Sequence, residues 1–187
     1  MLKRDFKFKV KALDGGDDPD GSFEGLLAVY NNQDLGGDII VPGAFARTIA
    51  NQGSQVPLLW QHKTDEPIGT LTLNDGPNAL SVQGQLLLAL PTAVAAYQLL
   101  KSGIIRGLSI GYDIVQDSVE GSVRYLKELR LWEGSIVTFP MNQAAVIQAI
   151  KSNVDDDREV IAELKRLAAK AERAAGAPNQ RMVRRGR

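Results

Sequence analysis

The sequence predicts an α+β protein that is mostly β: a small closed or partly closed antiparallel β-barrel ringed by short helices, plus a C-terminal amphipathic helix. Three observations carry this expectation. Short apolar runs of strand character recur through residues 6–150 and are separated by turns rich in Gly, Asn and Asp. Only two stretches in that span have helical spacing, and the order does not alternate strand and helix as a doubly wound sheet requires. Antiparallel neighbours joined by turns can then bury their edges by curling into a barrel.

Taken in order, Phe6 to Ala12 alternates apolar and basic residues and reads as a half-buried strand. Asp14 to Gly21 is a loop, and Phe23 to Tyr30 is a second strand followed by the polar turn Asn31–Gly37. Asp38–Pro42 is a short apolar segment, and Gly43–Gln52 follows as a short helix. Val56–Trp60 is a buried strand, with His62 just beyond its end. Strands at about 68–73 and 79–90 flank the turn Asn74–Asn78. Thr92–Ser102 is a helix that Gly103 stops. Strands at 107–116, 122–132 and 134–139, with Ala144–Ile150, complete the set.

The tail differs in kind. Val160, Ile161, Leu164, Leu167, Ala168 and Ala171 recur at helical spacing, and Asp155–Asp157 precede them where a helix dipole favours negative charge. Residues 158–187 hold nine Lys/Arg against three Glu, whereas the whole chain is neutral, with 22 of each sign. Two units are therefore expected: 1–150 as the barrel, and 151–187 as a basic helical tail with a targeting or regulatory role and a mobile end.

Composition narrows the chemistry. The 187 residues are enough for a real core, and 44% hydrophobic against 24% charged is a globular balance. With no Cys, the chain has no disulfides, thiolate metal sites or Cys nucleophile; with one His, it has no two-imidazole metal site. No membrane span and no signal peptide are expected, so the protein reads as soluble and non-secreted.

Four groups of residues could carry chemistry. His62 ends an apolar run, where a single imidazole is either structural or the base of a site. Gly107-Leu108-Ser109-Ile110-Gly111 matches the G-x-S-x-G elbow, but strand-like residues follow it and no His comes later, so an α/β-hydrolase is excluded. What remains is a serine whose flanking glycines allow close approach of a substrate backbone, or one on an ordinary strand. Glu133, at the edge of an apolar strand pair, needs a partner: an imidazole, or Arg130 or Arg106. Asp34 and Asp38 around Gly36-Gly37 match no calcium loop and are explained by turn chemistry.

The segments Tyr30–Phe45, Val56–Leu71, Gly103–Tyr112 and Glu128–Val146, in that order and with the one His inside LLWQH, resemble the prohead protease family of HK97-type tailed phages. The resemblance covers roughly residues 5–150, and it departs at Phe139-Pro140-Met141-Asn142, where Pro-Ala-Asn is usual. It implies a serine endopeptidase that processes capsid precursors or scaffold, and its own chain as well, inside the assembling prohead in the bacterial host cytoplasm. It further implies a barrel like that of herpesvirus assemblins. Ser109 becomes the nucleophile, His62 the general base and Glu133 the candidate third member, since no second His exists to fill that place as in assemblins. No metal or organic cofactor is implied, and neither nucleic acid nor membrane is an expected partner; self-association is left open. The oxyanion donors are not legible, with amides near Arg106 or Gly107 as candidates. The alternative is a non-catalytic capsid assembly or scaffold protein that retains the protease fold, and an unrelated esterase ranks third.

Overall fold

A computed structural model describes residues 11–12 and 20–150. Most of the N-terminal strand expected at 6–12, and the whole tail expected to be helical after 150, lie outside the described residues.

Among the described residues the chain forms nine strands and two helices. The strands are β1 (Lys11–Ala12), β2 (Ser22–Val29), β3 (Asp38–Ile40), β4 (Gln55–Trp60), β5 (Lys63–Asp75), β6 (Ala79–Leu86), β7 (Gly107–Glu120), β8 (Val123–Val137) and β9 (Ile147–Ile150). Helix α1 spans Ala46–Gln52 and α2 spans Pro91–Lys101. All strands belong to one curled, half-barrel sheet with the order β1-β9-β2-β6-β5-β4-β8-β3, and β7 pairs along the other side of β8. Leu108 N–H donates to the Ala145 carbonyl, and Ile147 N–H to that of Arg106, which ties the start of β7 to the approach to β9.

Two expectations need correction. The sheet is mixed, because β3 and β4 both run parallel to β8, and β1 runs parallel to β9. Periodicity reports which face of a strand is buried but not which strand lies beside it, so direction was out of its reach. The strands expected at 122–132 and 134–139 are one, β8, which continues through Glu133-Gly134. A carboxylate beside a glycine imitates a turn; here each has a separate reason to sit inside a strand.

The elements follow from their residues. β6 buries alternate positions Leu80, Val82, Gly84 and Leu86, the pattern of a strand with one face on the core. Helix α2 starts at Pro91, whose missing N–H costs nothing in the first turn, and buries Ala93, Ala96, Tyr97 and Leu100. β8 changes character along its length. Leu126, Leu129 and Leu131 are buried with exposed residues between them, but from Glu133 to Val137 every residue is buried. There the strand has neighbours on both sides, β7 at Gly107–Gly111 and β4 at Leu58–Trp60, and no edge meets water. At Gly134 a Cβ would overlap the Leu71 side chain and press on that of Leu27, so both leucines pack against bare backbone there.

Tyr30 is buried, stacks on Phe45 with ring centroids 6.3 Å apart, and donates its hydroxyl to Asp75. Burial, then the hydrogen bond to Asp75, then its negative charge, raise the Tyr30 pKa far above the ordinary phenol value. The folded state therefore resists deprotonation. This contribution to stability is complete below the unfolded value of about 10 and is lost as pH rises beyond it. Thermal unfolding followed between pH 8 and 11.5 should show a falling Tm above about pH 10 in the wild-type chain. Tyr30→Phe should start from a lower Tm and show a shallower alkaline fall; an equal alkaline slope in both proteins would contradict this account.

Candidate active site

The site lies on the face of the β7–β8 pair away from the core. In the antiparallel register, Ser109 is opposite Ser135, Gly111 opposite Glu133 and Gly107 opposite Val137. Side chains at alternate positions share a face, so Ser109, Ser135 and Glu133 stand together. Leu108 and Ile136, one residue out of step, are fully buried on the other face.

His62 reaches this face through the turn between β4 and β5. β4 runs parallel to β8 with Leu59 beside Ser135 and Trp60 beside Ile136, and β5 begins with Lys63 paired to Trp60. The two residues between, Gln61 and His62, have φ of 54° and 60°. A tight hairpin requires such values, but neither residue is Gly or Asn, and each costs about 1–2 kcal/mol in this conformation. β8 and the residue after it compensate. Gln61 N–H donates to the Ile136 carbonyl, and the Gln61 side-chain amide gives and takes one hydrogen bond each with Thr138. His62 N–H donates to Ser135 Oγ at 3.1 Å. Four hydrogen bonds at about 0.5–1.5 kcal/mol each offset the two strained residues.

The imidazole joins the three expected residues. His62 Nδ1 is 2.7 Å from Glu133 Oε1, and His62 Nε2 is 2.9 Å from Ser109 Oγ. An ionised carboxylate can only accept, so Nδ1 carries the proton, Nε2 is the acceptor, and the Ser109 hydroxyl donates to it. Glu133 is buried, whereas the His62 side chain is 42% exposed, so the reacting end of the relay is open to a substrate and its anionic end is shielded. The Glu133 side chain bonds His62 and Ser135 and not an arginine, and the Arg130 guanidinium lies over the Trp132 ring at 5.6 Å.

Ser135 was not singled out from the sequence. It is fully buried and donates to Glu133 Oε2 at 2.8 Å while accepting from His62 N–H. Its one signal is its spacing: a hydroxyl two residues after a buried acid on a strand shares that acid's face.

The glycines of the G-x-S-x-G pattern have packing roles of their own. A Cβ on Gly111 would overlap Glu133 Oε1 and lie 3.0 Å from its Cγ and Cδ. The carboxylate therefore rests over the bare Gly111 backbone. A Cβ on Gly107 would come within 2.7 Å of both Pro140 Cδ and the Val137 carbonyl. Asp34 and Asp38 have turn and pairing roles. Asp34 Oδ1 accepts from Gly36 N–H and Asp38 N–H at 2.8 and 2.9 Å, and Asp38 takes a two-point bond from Arg124.

The β7–β8 face thus carries a serine hydroxyl, an imidazole and a buried carboxylate in series, the geometry in which a serine can be activated as a nucleophile. Residues 6–159 match the model of the caudovirus prohead serine protease family, and the chain belongs to that family. It is 38% identical over 142 residues to the prohead protease of Enterobacteria phage HK97, covering 73% of this chain and 63% of the relative. It is 25% identical over 126 residues to the prohead protease of Escherichia phage T5, covering 65% of this chain and 59% of the relative. The chain thus spans about three fifths of the length of these two relatives. A match at 38% identity over 110 residues to the capsid polyprotein of Pseudomonas phage PAJU2 covers 52% of this chain and 16% of that protein. Among solved structures, KSHV protease in complex with a hexapeptide phosphonate inhibitor aligns at a TM-score of 0.46 and 13% identity, over 67% of this chain and 63% of that one.

The Gly111 contact makes a specific expectation. Gly111→Ala should leave the circular dichroism spectrum intact but displace the Glu133 carboxylate, lowering the reactivity of Ser109 on the order of 10²-fold. Reaction rates with a fluorophosphonate probe measure this. A rate equal to wild type would show that the carboxylate does not need the space over Gly111.

Proposed function

We propose that this chain is a serine endopeptidase of phage head maturation, which cleaves capsid-precursor or scaffold polypeptides inside the assembling prohead in the bacterial host cytoplasm. The observation that carries the reading is the continuous relay from Ser109 Oγ through both His62 nitrogens to the buried Glu133 carboxylate. Membership in the prohead serine protease family supports the substrate class. So does the capsid polyprotein relative, in which a matching segment lies within a capsid chain.

In this mechanism Ser109 Oγ attacks the scissile carbonyl carbon while His62 Nε2 takes the hydroxyl proton. Glu133 holds the imidazole by Nδ1–H and stabilises the imidazolium. Collapse of the tetrahedral intermediate breaks the C–N bond, and Nε2–H passes its proton to the leaving amine. A water then attacks the acyl-serine, again giving its proton to Nε2. Collapse of this second tetrahedral intermediate breaks the acyl C–Oγ bond, returns the Nε2–H proton to Ser109 Oγ and releases the carboxyl product. Preorganised donors must meet the oxyanion. The Leu108 amide is already committed to the Ala145 carbonyl, and Gly107 faces Val137 in the β7–β8 ladder, which leaves the Arg106 amide as the candidate at this end of β7.

A non-catalytic assembly role gives no reason for a buried carboxylate, a half-exposed imidazole and a serine hydroxyl to lie at hydrogen-bond distance in series. The test is cleavage of a library of unfolded polypeptides by the full chain, with new N-termini counted by mass spectrometry. Ser109→Ala and His62→Ala should each fall to background with unchanged circular dichroism. Glu133→Gln should keep turnover about ten- to a hundredfold above them, because the third member orients and does not react. A wild-type chain that cuts nothing, or a folded His62→Ala variant with near-wild-type turnover, would overturn the proposal.

A further inference from the structure

We propose that Ser135 is a positioning residue of the relay: its buried hydroxyl holds the Glu133 carboxylate and the His62 main chain in one frame, and so fixes the imidazole tautomer that accepts the Ser109 proton. This rests on the hydrolase reading above.

The hydroxyl stands in an otherwise apolar stretch of β8, between Gly134 and Ile136, with no exposed surface. An alanine would fill nearly the same space without the cost of burying a polar group, so the hydroxyl needs a reason to be there. Both of its capacities are spent on the relay. The proton goes to Glu133 Oε2 at 2.8 Å, and the oxygen accepts His62 N–H at 3.1 Å.

Each bond has a separate effect. With Oε2 held by Ser135, the carboxylate cannot rotate about its Cγ–Cδ bond, and Oε1 stays directed at His62 Nδ1, 2.7 Å away. Without that donor, Oε2 is a buried acceptor lacking its partner, and the carboxylate gains by turning to find another. The second bond anchors His62 at φ 60°, where the backbone has a strained conformation and the imidazole direction depends on the turn. The register adds a third point. Ser135 is directly opposite Ser109, so one β7–β8 rung carries the nucleophile on one strand and the support of its base on the other. Ser135 is not a competing nucleophile, because it is buried and its proton is directed to a carboxylate.

The experiment uses two readouts on the full chain. The first is the rate of phosphonylation by a fluorophosphonate, in which Ser109 Oγ bonds to phosphorus, fluoride leaves and the hydroxyl proton passes to His62. The second is the imidazole spectrum by NMR; His62 is the one His in the sequence, so its ring nitrogens and Nδ1–H are assigned without ambiguity. Ser135→Ala is expected to keep the circular dichroism spectrum, to slow labelling about 10- to 100-fold, and to lose the slowly exchanging Nδ1–H signal. Ser135→Thr restores the hydroxyl and should recover most of both. In a Glu133→Gln background, Ser135→Ala should add little, because both act through one carboxylate. Wild-type labelling and a retained Nδ1–H signal in Ser135→Ala would overturn the inference, as would a loss that multiplies in full with that of Glu133→Gln. If the alanine variant does not fold, Ser135→Cys, a poor donor that keeps the volume filled, carries the same test. If the wild-type chain itself is not labelled, the hydrolase reading fails, and the imidazole spectrum alone decides the role of Ser135.

Discussion

The parallel pairing of Leu58–Trp60 with Gly134–Ile136 brings the imidazole to the site. It delivers the end of β4 beside Ser135, so that the next two residues must turn over β8 to start β5. It also encloses β8 between β4 and β7, which removes water from around Glu133 and Ser135 and makes their hydrogen bonds strong and obligatory. A different neighbour for β8 would leave Ser109 and Glu133 on their face without an imidazole.

The site is held by cooperation between strained and unstrained parts. Gln61 and His62 occupy left-handed backbone conformations that isolated chains avoid, and they do so because β8 and Thr138 supply partners for both residues. On the β7–β8 side there is no such strain, only exclusion: Gly111 clears space for the carboxylate and Gly107 clears space for Pro140. The G-x-S-x-G pattern is thus a record of two close approaches on one strand. It shares the letters of the hydrolase elbow but has neither its sharp turn nor its following helix.

Much of this was legible in the sequence. β2, β4 and both helices fall within a few residues of their expected bounds, since each has clear periodicity and a Gly or Pro at an end. Ser109, His62 and Glu133 could be singled out from the residues, but their roles as one set came from the resemblance to the prohead protease family. The less legible features are all non-local. The parallel partners of β8 could not be read, because a strand's pattern encodes its buried face and not its neighbour. Ser135 was hidden because a hydroxyl within a buried run reads as strand filling until its distance to Glu133 is known. The Gln61-His62 turn lacks the Asn-Gly signature of its conformation, because the partners that support it lie more than 70 residues away in β8 and at Thr138.

We propose that, of the nine serines in the chain, Ser109 is the one that reacts, and that it does so through His62. The most direct measurement is mass-spectrometric mapping of the adduct formed when the full-length chain reacts with a fluorophosphonate. The account predicts one adduct per chain, located at Ser109 and absent from a folded His62→Ala variant. An adduct on another serine, or labelling of Ser109 that survives the loss of the imidazole, would contradict it.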